Sequence, residues 1–236
     1  MTSGVARRLL AESLGTAFLL AAVVGSGIAA QRLSPGDAGL QLLENAVATG
    51  AALVAIIATF RHVSGAHLNP LVTLVDRHLG NLSWREATSY CGAQVVGAIV
   101  GVAVANAMFE LPPLQISAEV RDGAGLLAGE VVATLGLLLV VFGLARSGRT
   151  SATPFAVGAF ITAAYFFTSS TGFANPAVTT ARMLTDTFAG IAPASAPAFI
   201  AAEAVGAVIA LVVVRSLWPG AAARAPEGIA PQEVAA

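Results

Sequence analysis

The sequence predicts an all-α membrane protein, a six-transmembrane bundle with two half-helices and an inverted internal repeat. Three observations predict it. The 236 residues are 56% hydrophobic and only 11% charged, with a mean hydropathy of +0.80, against about 25% charged residues in a soluble domain. Six apolar runs are long enough to cross a bilayer. The dipeptide Asn-Pro occurs twice, as Asn69-Pro70 and Asn175-Pro176, each time between two such runs.

The expected spans lie near 8–30, 40–60, 84–108, 124–145, 152–170 and 196–217. The start Met1–Arg8 followed by Leu9–Ala30 has the charge order of a signal peptide. The apolar run is too long and shows no clear cleavage site, so it is read as the first span. Between spans two and three lies a half-segment, 69–79, and between spans five and six another, 175–185. Each is about ten residues, roughly 15 Å of helix, or half of a hydrocarbon core. Residues 219–236, rich in Ala, Pro and Glu, are expected to be a disordered tail.

The order is span, span, half-span, span, repeated twice. It divides the chain into a first half, 1–118, and a second half, 119–218. Local matches support the division. Ala11-Glu12-Ser13-Leu14-Gly15-Thr16 parallels Gly129-Glu130-Val131-Val132-Ala133-Thr134, and Ala93-Gln94-Val95-Val96-Gly97-Ala98 parallels Ala202-Glu203-Ala204-Val205-Gly206-Ala207. Three spans per half invert the second copy in the membrane. Glycines inside the spans, among them Gly25, Gly27, Gly97, Gly101 and Gly206, suit close helix packing.

There is no lysine, so all twelve cationic residues are Arg. With the amino terminus inside, nine of them (7, 8, 61, 77, 85, 146, 149, 215, 224) fall on one side and three (32, 121, 182) on the other. This excess places both termini in the cytoplasm. The net charge of −1 says nothing about partners; the expected partner is the lipid bilayer, with no nucleic acid. The single cysteine, Cys91, excludes an intrachain disulfide and a thiolate metal site. No nucleophile with a base, paired carboxylate cleft or metal cluster is apparent, so the sequence offers no catalytic residues, no metal site and no cofactor, and it does not read as an enzyme.

Asn caps a helix and Pro is favoured at its first position. One Asn-Pro is merely a good helix start. Two at matching places in an inverted repeat point two positive half-helix ends at the membrane centre. Cations are opposed there, while spare Asn amides offer donors to a neutral hydroxylated solute. The irregular approaches Gly65–Leu68 and Gly172–Ala174 carry carbonyls that need partners at depth. Those of Ala66, His67, Leu68, Phe173 and Ala174 are expected to line the lumen as acceptors. Glu12 and Glu130 sit in apolar spans at equivalent places. They are read as structural acceptors for the half-helix loops, with a proton relay as the competing reading. His67 reads as a hydrogen-bonded loop anchor.

With these motifs the chain resembles the major intrinsic protein family, the aquaporins and aquaglyceroporins. The likeness covers about 8–217 and rests on Ala11–Thr16, on Ser64-Gly65-Ala66-His67-Leu68-Asn69-Pro70 and on Asn175-Pro176-Ala177. It implies a homotetramer with one pore per subunit and passive conduction without a cofactor. Leu71 stands where the first motif usually has Ala. The filter Arg that follows the second motif in the family is here Val178. Counting by the family pattern gives Thr49, Ala163 and Gly172 for the other filter positions. This set is small and uncharged, which predicts a wide filter. The run Phe173–Arg182, with Thr185–Pro193 after it, is similar to the bacterial arsenic-resistance aquaglyceroporins of AqpS type. That likeness implies conduction of uncharged As(OH)₃, alongside glycerol-like polyols, water and methylated arsenicals, in a bacterial inner (plasma) membrane. A general water and glycerol channel without an arsenic role is the alternative. A proton-coupled transporter using Glu12 and Glu130, or a closed structural protein, is a further one.

Overall fold

The computed structural model describes residues 3–219, and the expected tail falls almost wholly outside them. The described residues form eight α-helices and one 3₁₀ turn. They are α1 (Ser3–Leu33), α2 (Ala38–Ser64), α3 (Pro70–His78), α4 (Trp84–Met108), α5 (Ala124–Arg146), α6 (Thr153–Phe167, entered through the turn Thr150–Ala152), α7 (Pro176–Arg182) and α8 (Ala196–Leu217). Six helical stretches are long and apolar enough to span a membrane, the fifth being the turn and α6 together, Thr150–Phe167.

Local chemistry sets the boundaries. Asp37 caps α2 by accepting from the Leu40 amide at 2.9 Å, and Gly65 ends it in the left-handed region at φ 91°. Ser83 and Glu86 form a reciprocal capping box at the start of α4, satisfying two of the amides that no helix can bond itself. The half-helices are short. α3 has nine residues and α7 seven, and each opens with Pro after an extended Asn. α7 stops three residues before its expected end because the backbone turns away to pair across the molecule. Gln115 N donates to Leu184 O and Ser117 N to Met183 O.

α1 packs on α2 and α4, and α5 packs on α6 and α8; contact between α2 and α6 joins the two sets. Small residues permit the close approaches. A Cβ at Gly97 or Gly101 would run into the α1 backbone at Ser13 or Ala17, and one at Gly206 would meet Val131 O at 2.6 Å. Gly25 and Gly27 lack that constraint, with nothing nearer than 3.5 Å to a built Cβ. The α2–α6 contact adds Gly50 and Gly158, where a Cβ on either would meet the other's carbonyl, at 2.9 and 2.7 Å respectively.

Outward faces are apolar. Phe18 is 61% exposed and Val208 64%, a surface that suits lipid rather than water. The α1 start and the α8 end lie on one face of the bundle, where Arg8 pairs with Glu86 at 2.8 Å and Arg215 donates to His78 O at 2.7 Å. The opposite face is covered by loops 109–123 and 183–195, tied by Ala192 N to Glu119 O.

Candidate functional site: a lumen between two half-helices

The segments that precede α3 and α7 enter the bundle as irregular backbone. Ala66 and Leu68 in one, and Gly172 and Ala174 in the other, take positive φ values of 49°, 52°, 63° and 50°. For the non-glycine residues such a conformation costs of order 1–3 kcal/mol and needs support. Glu12 and Glu130 supply it. Glu12 Oε1 accepts from His67 N (3.0 Å) and Ser64 Oγ (2.6 Å), and Oε2 accepts from Leu68 N (2.8 Å) and Gln94 Nε2 (2.7 Å). Glu130 accepts from Phe173 N (3.0 Å) and Ala174 N (2.8 Å). The matching residues of the two halves therefore make matching bonds.

The two motif Asn residues meet at the centre. Asn69 Oδ1 accepts from Leu71 N, and Asn175 Oδ1 from Ala177 N and Val178 N. Each amide then crosses to the other loop: Asn69 Nδ2 donates to Ala174 O at 2.7 Å and Asn175 Nδ2 to Leu68 O at 2.8 Å. One N–H of each amide is thereby consumed and one remains for the lumen. Two of the expected acceptor carbonyls, Leu68 and Ala174, are occupied by this crossing. Those of Gly65, Ala66, His67, Gly172 and Phe173 accept no hydrogen bond among the described residues. Pro70 and Pro176 occupy the first helical positions. Leu71 turns away from the lumen into an apolar cluster with Leu138 and Phe142. His67 is anchored, with Nδ1 3.1 Å from Thr73 Oγ1 and Nε2 3.6 Å from Asp76 Oδ2.

A continuous cavity of ≈ 100 Å³ runs from Arg61 and Thr150 at the face of the chain ends, past Asn69 and Asn175, to Thr49 and Arg182 toward the opposite face. Leu53, Ile57, Leu137, Val141, Val157 and Ile161 make much of its wall apolar. Of the four expected filter positions, the structure brings Thr49, Gly172 and Val178 to this lumen. Ala163 is exposed on the outside of α6 and does not line it. Inward positions on α6 are Ile161 and Tyr165, four apart; 163, half a turn from either, points away. The residue α6 contributes here is Tyr165, whose hydroxyl lies 3.1 Å from Thr49 Oγ1.

The expectation of an uncharged filter also requires correction. Arg182, counted in the sequence as a loop charge, is 4% exposed and lines the lumen. Its Cζ sits 3.5 Å from the centroid of the Phe173 ring, and its Nε donates to the Ala189 carbonyl. Arg121 approaches the same ring at 5.3 Å and donates to Gly190 O and Phe188 O. Burial holds its guanidinium below the ordinary value. The spacing of 178 and 182, one turn on one helix, was the available signal for Arg182. Gln94 and Glu203 likewise take matching places, each bonded to the Thr that lies four residues after a motif Asn: Gln94 Nε2 to Thr73 Oγ1 (3.0 Å) and Thr179 Oγ1 to Glu203 Oε1 (2.6 Å). Among the described residues no group of three or more His, Cys, Asp or Glu side chains could hold a metal.

Comparison with known proteins bears on the family and the fold. The sequence profile described as Major intrinsic protein matches residues 1–174. The chain is 50% identical over 211 residues to Aquaglyceroporin AqpS of Rhizobium meliloti (strain 1021), covering 89% of this chain and 90% of that one. It is 31% identical over 172 residues to the lens fiber major intrinsic protein of Rattus norvegicus, covering 68% and 62%. The fold matches the X-ray structure of the aquaglyceroporin from Plasmodium falciparum with a TM-score of 0.71 at 22% identity, over 92% of this chain and 98% of that one. The chain belongs to the major intrinsic protein family, as a multi-pass membrane channel for small solutes and not an enzyme.

Proposed function

We propose that the protein is a passive pore for small polar uncharged solutes: glycerol-like polyols, water and arsenite as As(OH)₃, with methylated arsenicals as further candidates. The observation that carries this reading is the polarity pattern of the lumen. Carbonyls without partners and two spare Asn N–H groups follow one another along a wall whose middle stretch is largely apolar. A solute with several hydroxyls can exchange its water for these groups in sequence while its carbon or arsenic body rests on the apolar side. As(OH)₃ and glycerol both present three hydroxyls on a small body. Two half-helix N-termini at the centre, joined through their Asn caps, oppose cations.

The arsenic part of the proposal leans on the likeness to Aquaglyceroporin AqpS. A homotetramer, insertion in a bacterial inner membrane and cytoplasmic termini belong to the same reading, the last from the Arg excess on the face of the chain ends. The proposed filter comprises Thr49, Gly172 and Val178, with Glu12 and Glu130 as structural carboxylates. Stopped-flow light scattering on proteoliposomes, with water, glycerol, urea and arsenite in turn, tests it. Glycerol and arsenite should both equilibrate faster than in protein-free vesicles. Glycerol flux without arsenite flux would leave the general water and glycerol channel.

A further inference from the structure

Arg182 is buried beside the lumen, and no acidic side chain among the described residues makes a salt bridge with it. The reason lies in the repeat. Asp76 stands seven residues after Asn69, and Arg182 seven after Asn175; His67 and Phe173 stand two before the same Asn residues. In the first half Asp76 is consumed by the protein. Its Oδ1 accepts from Asn81 Nδ2 at 2.7 Å and its Oδ2 faces His67, and it does not line the lumen. In the second half the partner is a phenyl ring. A ring face attracts a guanidinium but accepts none of its in-plane N–H groups. Nε is used by the Ala189 carbonyl. Nη1 and Nη2 have no hydrogen-bond acceptor among the described residues, and they belong to a lumen-lining side chain.

We infer that Arg182, rather than the residue that directly follows the second Asn-Pro-Ala, sets the charge selectivity of this pore, by presenting a ring-clamped guanidinium to the lumen one helical turn beyond Val178. The inference rests on the pore reading above. Four residues of helix move the charge about 6 Å away from the midplane. There it joins the Thr49 and Tyr165 hydroxyls as a donor to the oxygens of a passing solute. At neutral pH the guanidinium is charged, so the group opposes protons and alkali cations. The other arginine on the lumen wall, Arg61, lies at the far mouth, with Nη1 donating to Thr150 O and Nε to His62 Nε2.

The alternative role is a purely structural pin, since Arg182 also holds loop 183–191 through Ala189 and Ile191. Wild type, Arg182→Gln and Arg182→Lys reconstituted in vesicles separate the two. Glycerol flux is read by light scattering, and proton and potassium leak by a trapped pH dye under a potassium gradient. Wild type should pass glycerol and be no leakier to ions than protein-free vesicles. In Arg182→Gln the ratio of ion leak to glycerol flux should rise about tenfold or more over wild type, whatever the change in glycerol flux itself, whereas in Arg182→Lys the ratio should stay at the wild-type value. A folded Arg182→Gln pore that passes glycerol and stays tight overturns the inference. If the glutamine variant does not assemble, a lysine variant that leaks ions at normal glycerol flux overturns it, as does a leaky wild type. A wild type that passes no glycerol removes the pore reading itself, and the inference with it.

Discussion

Glu12 receives four donors within hydrogen-bond distance and has no accessible surface. Every one of its bonds holds backbone or side chain next to the first half-helix, which leaves it no free lone pair aimed at the lumen. Glu12→Gln keeps the shape but turns one acceptor into a donor, so at least one of these buried donors loses its partner. Each such loss costs about 1–3 kcal/mol. The expected result is a lower thermal midpoint and a lower folded yield in detergent, with the glycerol-to-water permeability ratio of the surviving protein unchanged. A variant as stable as wild type but altered in selectivity would contradict the anchoring role. Tyr165 makes the opposite prediction. Its ring faces the lumen and its hydroxyl meets Thr49, so Tyr165→Ala should raise permeation of polyols larger than glycerol relative to water, several-fold, in osmotic assays. Equal ratios in the two proteins would place the constriction elsewhere.

The seven residues of α7 carry Val178 and Arg182 on one side of the helix, both at the lumen. Val178→Arg would set two guanidinium groups one turn apart, which repel each other along a helix by a few tenths of a kcal/mol at the surface and more when buried. With Arg182 clamped on Phe173, the new side chain has the lumen to occupy. Passage of bulky solutes, methylated arsenicals included, should fall more than passage of water, measured as paired fluxes in the same vesicles; an unchanged ratio would remove Val178 from the proposed filter. This helix also shows what was legible in the sequence. Its start was plain, because Asn-Pro is a local signal and capping chemistry is local. The long spans were plain for the same reason, as length and hydropathy need no partner. Its end was not, because α7 stops where Met183 and Leu184 bond to residues 115–117, a contact remote in sequence. Ala163 failed for a related reason. Counting back from Asn175 crosses loop 168–174, which has no helical period, and so it missed the inward face of α6. Arg182 was misread because a charge tally by loops cannot tell a solvated arginine from one folded back onto a ring.

For the whole molecule, the decisive question is whether solute movement is coupled to anything. Coupling to protons requires a carboxyl group that exchanges protons with the lumen and a bundle that alternates its access. Neither Glu12, Glu130 nor Glu203 lines the cavity, and all three have no accessible surface. The cavity is already continuous from the mouth at Arg61 to Arg182. The close approaches at Gly97, Gly101, Gly206 and the Gly50–Gly158 contact lock the long helices where any rocking motion would have to pass. Passive flow through such a lumen should be linear in the solute gradient. It should also have the same rate with an imposed pH gradient of either sign, and with none. Glycerol uptake into vesicles under each condition measures this directly. Acceleration by an inward proton gradient, abolished by Glu130→Gln in a protein that still folds, would restore the proton-coupled transporter. Equal rates would mean that the buried carboxylates hold the half-helix loops and take no part in moving the solute.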